Sequence, residues 1–274
     1  MKIWFITGAS RGFGALITER LLAKGDAVVA TARNPQAIAD RFGSHPNLLA
    51  VALDVTNEVQ AKAAAQAAVD RFGRIDVLLN NAGFGLMGAV EEASAAEVAA
   101  VYGTNVFGLL TVIRSVLPQM RTQGSGRILN ISSIGGYRGA AGFGVYSSTK
   151  FAVEGLSEAL HDELAPLGIH VTVVEPGYFR TDFLDGSSLM VSPVEIADYA
   201  ATAGKVRQIA AGLSHNQPGD PAKLASVLVS FADAPNPPVR LPLGSDTVAA
   251  IERKLASDAA IIAEWRHISA STDF

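Results

Sequence analysis

Residues Ile3-Trp4-Phe5-Ile6-Thr7-Gly8-Ala9-Ser10-Arg11-Gly12-Phe13-Gly14 decide the fold, because they run from an apolar segment directly into a glycine-rich turn. Ile3–Ile6 is a predicted strand. Gly12–Lys24 is a predicted helix that ends at Gly25, a residue type that commonly closes helices. Glycine lets the backbone turn tightly and approach a ligand, and a helix start offers unpaired N–H groups to a phosphate. The stretch predicts a phosphate-binding βα unit, with an ordinary βα turn as the alternative.

The rest of the chain repeats this alternation of short apolar runs and helical stretches. The further predicted strands are Ala27–Thr31, Leu48–Leu53, Val77–Leu79, Arg127–Ile131, His170–Val174 and Val239–Leu243. The further predicted helices are Glu58–Phe72, Ala95–Thr104, Leu109–Gln123, Val145–Ala165 and a last one from Asp246 onward. Near-continuous Val, Ile, Leu and Ala is typical of parallel strands covered on both faces. The order predicts an α/β fold with a Rossmann-type, doubly wound parallel sheet of about seven strands and helices on both faces.

Residues 182–221 interrupt the alternation with Gly, Ser and Pro. Two short helices, Val194–Ala203 and Lys205–Leu213, are predicted there. Because this region lies between two strands of one sheet, it is interpreted as a substrate-lid insertion in a single domain spanning residues 1–274. Near the end, Trp265-Arg266-His267 is predicted to pack on the body of the protein.

Composition excludes several classes of protein. The chain has 274 residues, of which 49% are hydrophobic and 18% charged, which is incompatible with a disordered chain. With 22 basic and 26 acidic residues the net charge is −4, so nucleic acid is not an expected partner. Cysteine is absent, which excludes disulfides and thiolate nucleophiles. No signal peptide or long uninterrupted apolar run is found, so we expect a cytoplasmic protein without membrane association.

The glycine turn also contains Gly8-Ala9-Ser10-Arg11-Gly12, which matches the nucleophile elbow of α/β-hydrolases. That fold needs an earlier strand and loop to supply an oxyanion donor, and only nine residues precede Ser10. A nucleophile elbow, and with it a hydrolase, is therefore a minor alternative to the interpretation of these residues as a dinucleotide-binding turn.

The segment after the second strand indicates which dinucleotide binds. Sites for NAD place an acid here to hold the ribose 2′-hydroxyl, whereas this chain has Ala32 and Arg33. An arginine pairs with a 2′-phosphate, and Arg11 is a second cation close to the same corner. Two arginines without an acid favour NADP(H) over NAD(H), although Arg33 could equally be a solvated loop charge.

Two further loops follow strands. Asp54 and Val55 come after the third strand, where the carboxylate could bind adenine or simply begin a helix. Asn80-Asn81-Ala82-Gly83 comes after the fourth strand, either as turn chemistry or as backbone placed against a ligand at the carboxyl edge of the sheet.

The strongest chemical signal is Tyr146-Ser147-Ser148-Thr149-Lys150. Tyr146 and Lys150 are four residues apart and share a helix face. A nearby ammonium is expected to lower the phenol pKa, so the pair could move a proton to or from a carbonyl or alcohol oxygen. Ser133, which closes the fifth strand, could bind the same oxygen. The alternative is an ordinary pair on a helix surface.

Together these motifs resemble the classical short-chain dehydrogenase/reductase family, over roughly residues 3–181. The matching positions are Thr7–Gly14, Asn80–Gly83, Asn105, Ser133, Tyr146, Lys150, Pro176-Gly177 and Thr181. The run Arg180-Thr181-Asp182-Phe183 is similar to the hydroxysteroid-dehydrogenase-like branch. Phe13 stands where the family usually has Ile.

The resemblance implies an oxidoreductase that transfers a hydride between NADP(H) and a carbonyl or secondary alcohol. It makes Tyr146 the acid/base, Lys150 its partner and a ribose ligand, Ser133 the substrate-orienting hydroxyl and Asn105 the anchor of a proton-relay water. The implied cofactor-binding residues are Gly8, Ser10, Arg11, Gly12, Phe13, Gly14, Arg33, Asp54, Val55, Asn81, Ala82, Gly83, Tyr146, Lys150, Pro176, Gly177, Phe179 and Thr181. It also implies a homo-oligomer paired through Leu109–Gln123 and Val145–Ala165.

Apolar residues flanking these motifs predict a hydrophobic substrate; the expected walls are Phe84, Leu86, Met87, Phe143, Phe179, Phe183 and Leu184, although several could simply pack the core. No metal is expected, because the five histidines, at positions 45, 161, 170, 215 and 267, lack paired ligand spacing. Glu91-Glu92 is interpreted as a solvated pair. A non-catalytic dinucleotide sensor or scaffold on the same fold is the alternative function.

Overall fold

A parallel sheet with helices on both faces positions every loop discussed above. The computed structural model describes residues 1–186, 188–213 and 216–274. Its strands are β1 (Ile3–Thr7), β2 (Ala27–Ala32), β3 (Leu48–Ala52), β4 (Val77–Asn80), β5 (Gly85–Met87), β6 (Gly126–Ile131), β7 (Ile169–Pro176), β8 (Leu189–Val191) and β9 (Arg240–Leu243). Its α-helices are α1 (Gly12–Lys24), α2 (Gln36–Phe42), α3 (Glu58–Phe72), α4 (Ala95–Tyr102), α5 (Leu109–Gln123), α6 (Gly144–Leu164), α7 (Lys205–Leu213), α8 (Pro221–Phe231) and α9 (Ser245–Ser269).

The main sheet has seven parallel strands in the order β3-β2-β1-β4-β6-β7-β9. The chain therefore runs outward to β3 and then returns past β1 to build the other half. This reversal between β1 and β4 is the switch point outside which open α/β sheets bind ligands. The predicted Rossmann-type sheet of about seven strands is confirmed.

Two apolar cores cover the sheet, one on each face. The first joins β-strand residues such as Phe5 and Leu78 to α3, α5 and α6. The second joins Trp4 and Ile6 to α1 and α8. All five residues of β1 are buried, which is the reason that its sequence shows no alternation.

The helices α4 and α5 form one continuous run, Ala95–Gln123, joined by a π-helical segment over Gly103–Gly108. A π segment carries one extra residue in the turn and is frequent at functional sites. By length and composition alone, this run is the one in the described part of the chain that could cross a membrane, with 39% of its most apolar window buried. Core helices pass the same test, so the absence of membrane association stays a prediction.

The predicted lid region contains more structure than two helices. Strand β8 pairs with β5 in a small two-stranded parallel sheet. The predicted helix Val194–Ala203 is wrong: short 3₁₀ and π turns occupy Ala197–Tyr199 and Ala200–Gly204. Helix α7 has the predicted bounds.

The C-terminal helix α9 contacts the body through its first turns, where Thr247 and Ala250 are buried. From Glu252 onward it is largely exposed, and Trp265 is 51% exposed. The prediction that residues 265–267 pack on the body is therefore wrong, because these residues lie in the exposed part of the helix.

Candidate active site

A cleft of about 1200 Å³ runs along the carboxyl ends of the strands. At one end the cleft is lined by Arg33 after β2 and by Asp54 and Val55 after β3. In the middle it is lined by Gly8, Ser10, Arg11, Gly12 and Phe13 after β1 and by Asn81, Ala82 and Gly83 after β4. At the other end it is lined by Ser133 after β6, Tyr146 and Lys150 on α6, and Pro176, Gly177, Phe179 and Thr181 after β7. The structure thus brings nearly all the predicted site residues to one surface.

Gly14 and Asn105 are the two predicted residues behind this surface. A Cβ at Gly14 would lie 2.8 Å from Asn81 Nδ2 and closer still to the Gly8 carbonyl oxygen. Asn81 Nδ2 in turn donates to the carbonyl oxygens of Thr7 and Gly8 at 2.9 and 3.0 Å. Gly14 therefore lets helix α1 start directly against the turn, and Asn81 braces the turn from the neighbouring strand.

The glycine turn fits a pyrophosphate. Gly8 and Gly12 have φ of +66° and +54°, a conformation that favours glycine. A Cβ at Gly12 would meet nothing within 4 Å, so the backbone faces open space. The described side chains provide no cap to the N-terminus of α1, and its first turn has no acid. By contrast, Asn57, Ser94 and Asp220 cap α3, α4 and α8. An uncapped helix start suits an anion.

The corner next to the turn holds a positively charged and a negatively charged side chain. Arg33 is exposed and lines the cleft beside Asp54. The pKa of Asp54 is lowered, mainly by hydrogen bonds from the Thr56 hydroxyl and backbone and to a smaller extent by the charge of Arg33. Asp54 therefore carries a negative charge at neutral pH and is held in place by its own loop.

The groups expected to do the chemistry lie at the opposite end. The Lys150 ammonium is 5.7 Å from the centre of the Tyr146 ring and donates to the Ile131 carbonyl oxygen at 2.9 Å. The Ser133 hydroxyl accepts from the Gly135 N–H at 3.0 Å. Tyr146 and Lys150 are only 7% and 6% exposed. The predicted juxtaposition of phenol, amine and hydroxyl beside the cleft is therefore found.

The expected direction of the phenol shift is wrong. Burial raises the pKa of Tyr146, and its hydrogen bond with Ser133 opposes this only in part. Burial also lowers the pKa of Lys150 to about 8, although the carboxylate of Glu154 acts in the opposite direction. Desolvation outweighs the Ser133 hydrogen bond at Tyr146 and the Glu154 charge at Lys150, because both side chains are almost fully buried.

Asn105 is held by the π-helical segment. Its Oδ1 accepts from the Phe84 N–H at 3.1 Å, and its Nδ2 donates to the Phe84 carbonyl oxygen at 2.9 Å and to the Thr149 hydroxyl at 3.2 Å. A Cβ on Gly83 would approach Asn105 Oδ1 to 3.0 Å and Lys150 Nζ to 3.7 Å. Asn105 thus ties the loop after β4 to α6, immediately behind the cleft.

A buried charge cluster that sequence reasoning missed lies behind Lys150. Arg240 Nη1 donates to Glu154 and to Glu175 at 2.6 Å each, and Arg240 Nη2 donates to Glu158 at 2.9 Å. Glu154 and Glu175 are 3% and 0% exposed. The pKa of Glu154 is raised, chiefly by burial. The four-residue step from Lys150 to Glu154 was the available sequence signal.

A second missed contact attaches the predicted lid region to the body. Glu92 is 4% exposed, so its interpretation as a solvated residue is wrong. It accepts hydrogen bonds from the Ala89 and Ile196 N–H groups and from Arg207 on α7. These hydrogen bonds lower the pKa of Glu92. Its neighbour Glu91 accepts from the Tyr199 hydroxyl at 2.6 Å.

The cleft walls near Tyr146 are apolar. Of the predicted walls, the cleft is lined by Phe84, Phe143, Phe179, Phe183 and Leu184. Leu86 and Met87 are not among the described lining residues; they are buried in β5, where Met87 packs with Leu189. The ring of Phe183 lies 5.6 Å from that of Tyr146. Gln217, which no sequence signal singled out, also lines the cleft.

Metal binding was not expected from the histidines. In the described ranges, no group of three or more His, Cys, Asp or Glu side chains is arranged to hold a metal ion. His215 lies outside the described residues, so the expectation stays a prediction.

Comparison with known proteins identifies the class. The sequence model of the short chain dehydrogenase family matches residues 2–191. The chain is 40% identical to the oxidoreductase BOA17 of Botryotinia fuckeliana, over 98% of each protein. It is 39% identical to a 3-ketodihydrosphingosine reductase of Bacteroides thetaiotaomicron, over 89% of this chain and 88% of that protein. The chain belongs to the short-chain dehydrogenase family and is an oxidoreductase acting on CH–OH or C=O groups.

Solved structures agree with this assignment. A short-chain dehydrogenase from Streptomyces avermitilis is 43% identical and superposes with a TM-score of 0.92, covering 100% of both chains. A Burkholderia phymatum short chain dehydrogenase/reductase in complex with NAD is 25% identical over 92% of both chains, with a TM-score of 0.80. ElxO with NADP bound is 27% identical over 90% of this chain and 99% of its own, with a TM-score of 0.75. Structural neighbours therefore bind either NAD or NADP. The assignment of this chain to the hydroxysteroid-dehydrogenase-like branch stays a prediction.

Proposed function

We propose that the protein is an NADP(H)-dependent reductase of a hydrophobic carbonyl compound that uses Ser133, Tyr146 and Lys150. The observation that carries this proposal is their convergence at one end of a cleft that also contains the uncapped start of α1 in its middle and Arg33 at its other end. A nicotinamide cofactor would supply or accept the hydride.

Tyr146 would act as the general acid in the reductive direction. Because burial raises its pKa, the phenol keeps its proton at neutral pH and can donate it to a carbonyl oxygen. The Ser133 hydroxyl would hold that oxygen. Lys150 is protonated below about pH 8, and its charge would stabilise the phenolate as the proton leaves. Asn105 fixes the loop after β4 behind the cleft. At this position Asn105 would anchor a water molecule that returns a proton to Tyr146.

The preference for NADP(H) is proposed on charge. Arg33 lines the end of the cleft where an adenosine ribose would lie. The preceding position, at which NAD sites place an acidic residue, is Ala32. An exposed guanidinium pairs with a phosphate in two-pronged geometry, whereas it offers little to a hydroxyl. Asp54 is held by Thr56 and is positioned to accept from adenine.

A hydrophobic substrate is proposed because phenylalanine rings surround the chemistry. Phe143 and Phe183 lie 6.2 and 5.6 Å from the Tyr146 ring. The segment at 182–221 supplies one wall of the cleft and is joined to the body by the ion pair between Glu92 and Arg207. We therefore propose that this segment acts as a substrate lid. The relative named for 3-ketodihydrosphingosine reduction supports a keto substrate.

A homo-oligomer is proposed through α5 and α6. Phe151 on α6 is 46% exposed, and Phe107 directly before α5 is 61% exposed. Such rings on the outer face of paired helices suit burial against a second copy.

Tyr146→Phe tests the proposal. The variant should bind NADPH as the parent does while its kcat falls at least about a hundredfold, the usual size of a general-acid contribution. Fluorescence titration gives the binding constant, and a panel of bulky apolar and small charged ketones gives turnover. Turnover in the variant equal to that of the parent would refute the role of Tyr146 as the general acid. A parent that binds nucleotide but turns over none of the panel would favour the non-catalytic sensor, and a preference for small charged ketones would reject the hydrophobic substrate.

A further inference from the structure

The outer part of helix α9 presents an apolar stripe that no described residue covers. The side chains of this stripe are each 50–58% exposed: Leu255, Ile261, Ile262, Trp265 and Ile268. Leu255 and Ile262 are seven residues apart, and Ile261, Trp265 and Ile268 follow one another at steps of four and three. Such spacing places side chains along one helix face and is typical of a seam between two helices. Because helices in proteins gain most of their stability by packing such a face, a partner for the stripe is expected.

Charged residues lie along the two sides of the stripe. At 100° per residue, Glu252 and Arg266 flank one side, and Lys254 and Glu264 lie towards the other. Among the described residues, Glu252, Glu264 and Arg266 have no ion-pair partner, whereas Lys254 pairs with Asp258. Glu252 and Arg266 are about 21 Å apart along the helix axis, so they cannot meet within one helix.

These charges are complementary to a second copy of the same helix that runs in the opposite direction. With Ala259 of each helix at the crossing point, Glu252 of one copy faces Arg266 of the other, and Lys254 faces Glu264. Each contact occurs twice, because a two-fold axis relates the copies. A parallel pair in register would instead place each charge against its own equivalent, which is repulsive.

A lipid surface is the other partner that an exposed apolar helix face could fit. Helices that lie on membranes are rich in Lys and Arg on their polar face and are attracted by anionic lipids. From Glu252 to Phe274 this chain has four acidic residues and three basic ones, so it offers no excess of positive charge. The charges therefore favour a second copy over a membrane.

We propose that the part of α9 from Glu252 to Ser269 pairs antiparallel with the same part of α9 in a second copy of this chain, so that the two apolar stripes bury each other. The paired stretch is about 27 Å long. An interface of this size is small, and the association is expected to depend on protein concentration. The contact uses a different helix from the homo-oligomer proposed through α5 and α6, and neither contact depends on the other.

Charge reversal tests the pairing, with association of the full-length protein measured by sedimentation over a concentration series. Glu252→Lys and Arg266→Glu should each weaken association about tenfold, because each variant places two like-charge contacts in the interface. The double variant should recover the parental value, since both contacts are restored with reversed sign. Arg253→Glu is the matched control and should change nothing, because Arg253 lies about 180° around the helix from Ile262.

Cross-linking tests the direction of the two helices. The chain contains no cysteine, so one introduced thiol reports on one position. Ala259→Cys places an exposed thiol at the crossing point, and a short bis-maleimide should join two copies into a covalent dimer. Ala270→Cys, which is also exposed, should not be joined, because the two thiols would lie about 33 Å apart in the antiparallel pair.

A parent that stays monomeric throughout the concentration series would overturn the inference. An oligomeric parent whose association is unchanged by the single reversals would also overturn it, as would a double variant that associates as weakly as the single ones. A dimer cross-linked through Ala270→Cys, or none through Ala259→Cys, would refute the antiparallel arrangement. A monomeric parent that sediments with vesicles of phosphatidylcholine and phosphatidylserine would show that α9 binds lipid instead.

Discussion

Gly14→Ala is the substitution for which the structure gives the clearest expectation. Gly14 lies in the first turn of α1, where replacing glycine by alanine usually stabilises a helix by about 1 kcal/mol. Here the new methyl group would lie 2.8 Å from Asn81 Nδ2 and 3.0 Å from Ala9 Cα, and closer still to the Gly8 carbonyl oxygen. Ordinary contacts of a Cβ begin at 3.4 Å. The first turn of α1 must therefore move away from the glycine turn.

The two effects can be compared in magnitude. Overpacking of a tight site costs about 1–3 kcal/mol, which exceeds the helix gain of about 1 kcal/mol. We expect a net loss of about 1 kcal/mol, or a fall of roughly 3 °C in melting temperature for a domain of this size. Because Gly8 and Asn81 shape the turn, the affinity for NADPH should also fall about tenfold, which corresponds to about 1.4 kcal/mol.

Gly212→Ala provides the matched control. Gly212 lies in α7, is exposed, and has nothing within 4 Å of a built Cβ. This variant should gain about 1 kcal/mol and leave NADPH binding unchanged. Thermal unfolding, NADPH titration and size-exclusion chromatography on both variants give the comparison. A gain in stability for Gly14→Ala would refute the tight contact, and a loss without any change in affinity would refute the assignment of the turn to the dinucleotide.

Two further outcomes are expected. Arg33→Asp should weaken NADPH binding roughly tenfold and improve NADH binding, because a favourable charge becomes a repulsive one next to the 2′-phosphate; unchanged discrimination between the cofactors, measured by titration, would contradict the charge argument. Glu154→Gln should leave turnover unchanged at low pH, where Glu154 is itself protonated, and lower it as the pH rises towards 8, because Lys150 then loses the carboxylate that raises its pKa. In Glu154→Gln the alkaline limb of the pH–kcat profile should therefore move to lower pH. Glu158→Gln, which removes an exposed carboxylate bound to the same Arg240, should not move this limb. An equal shift in the two variants would show that the change in the profile comes through Arg240.

Elements with strong local signals could be predicted from the sequence. Buried strands such as β1 and β7 are runs of apolar residues, and α1 and α3 end at Gly25 and Gly73, both with positive φ. The site loops were predictable for the same reason, since each motif follows a strand and parallel strands end at one edge. The convergence of Tyr146 with Ser133 follows from that edge, and the pairing of Tyr146 with Lys150 follows from the four-residue helical step.

Elements defined by distant partners could not be predicted. Strands β5 and β8 have three residues each and are held by pairing across about a hundred positions of sequence. Helix α8 was missed because Asp220-Pro221 reads as a turn, whereas the Asp220 carboxylate caps the helix. Helix α2 follows Asn34-Pro35, which also reads as a loop. The burial of Glu92 depends on Arg207, more than a hundred residues later, and burial likewise decides the direction of the Tyr146 shift.

The π-helical segment has a consequence for how this chain tolerates length changes. A π turn holds one residue more than an α turn, so deleting a single amino acid within Gly103–Gly108 would let the segment close into an α turn and would change the position of Asn105 on the helix. Asn105 would then leave Phe84 while α5 remained seated on the sheet. The site is thus specified by residue count as well as by residue identity, and a frame-preserving deletion there should be more harmful than a point substitution on the same helix.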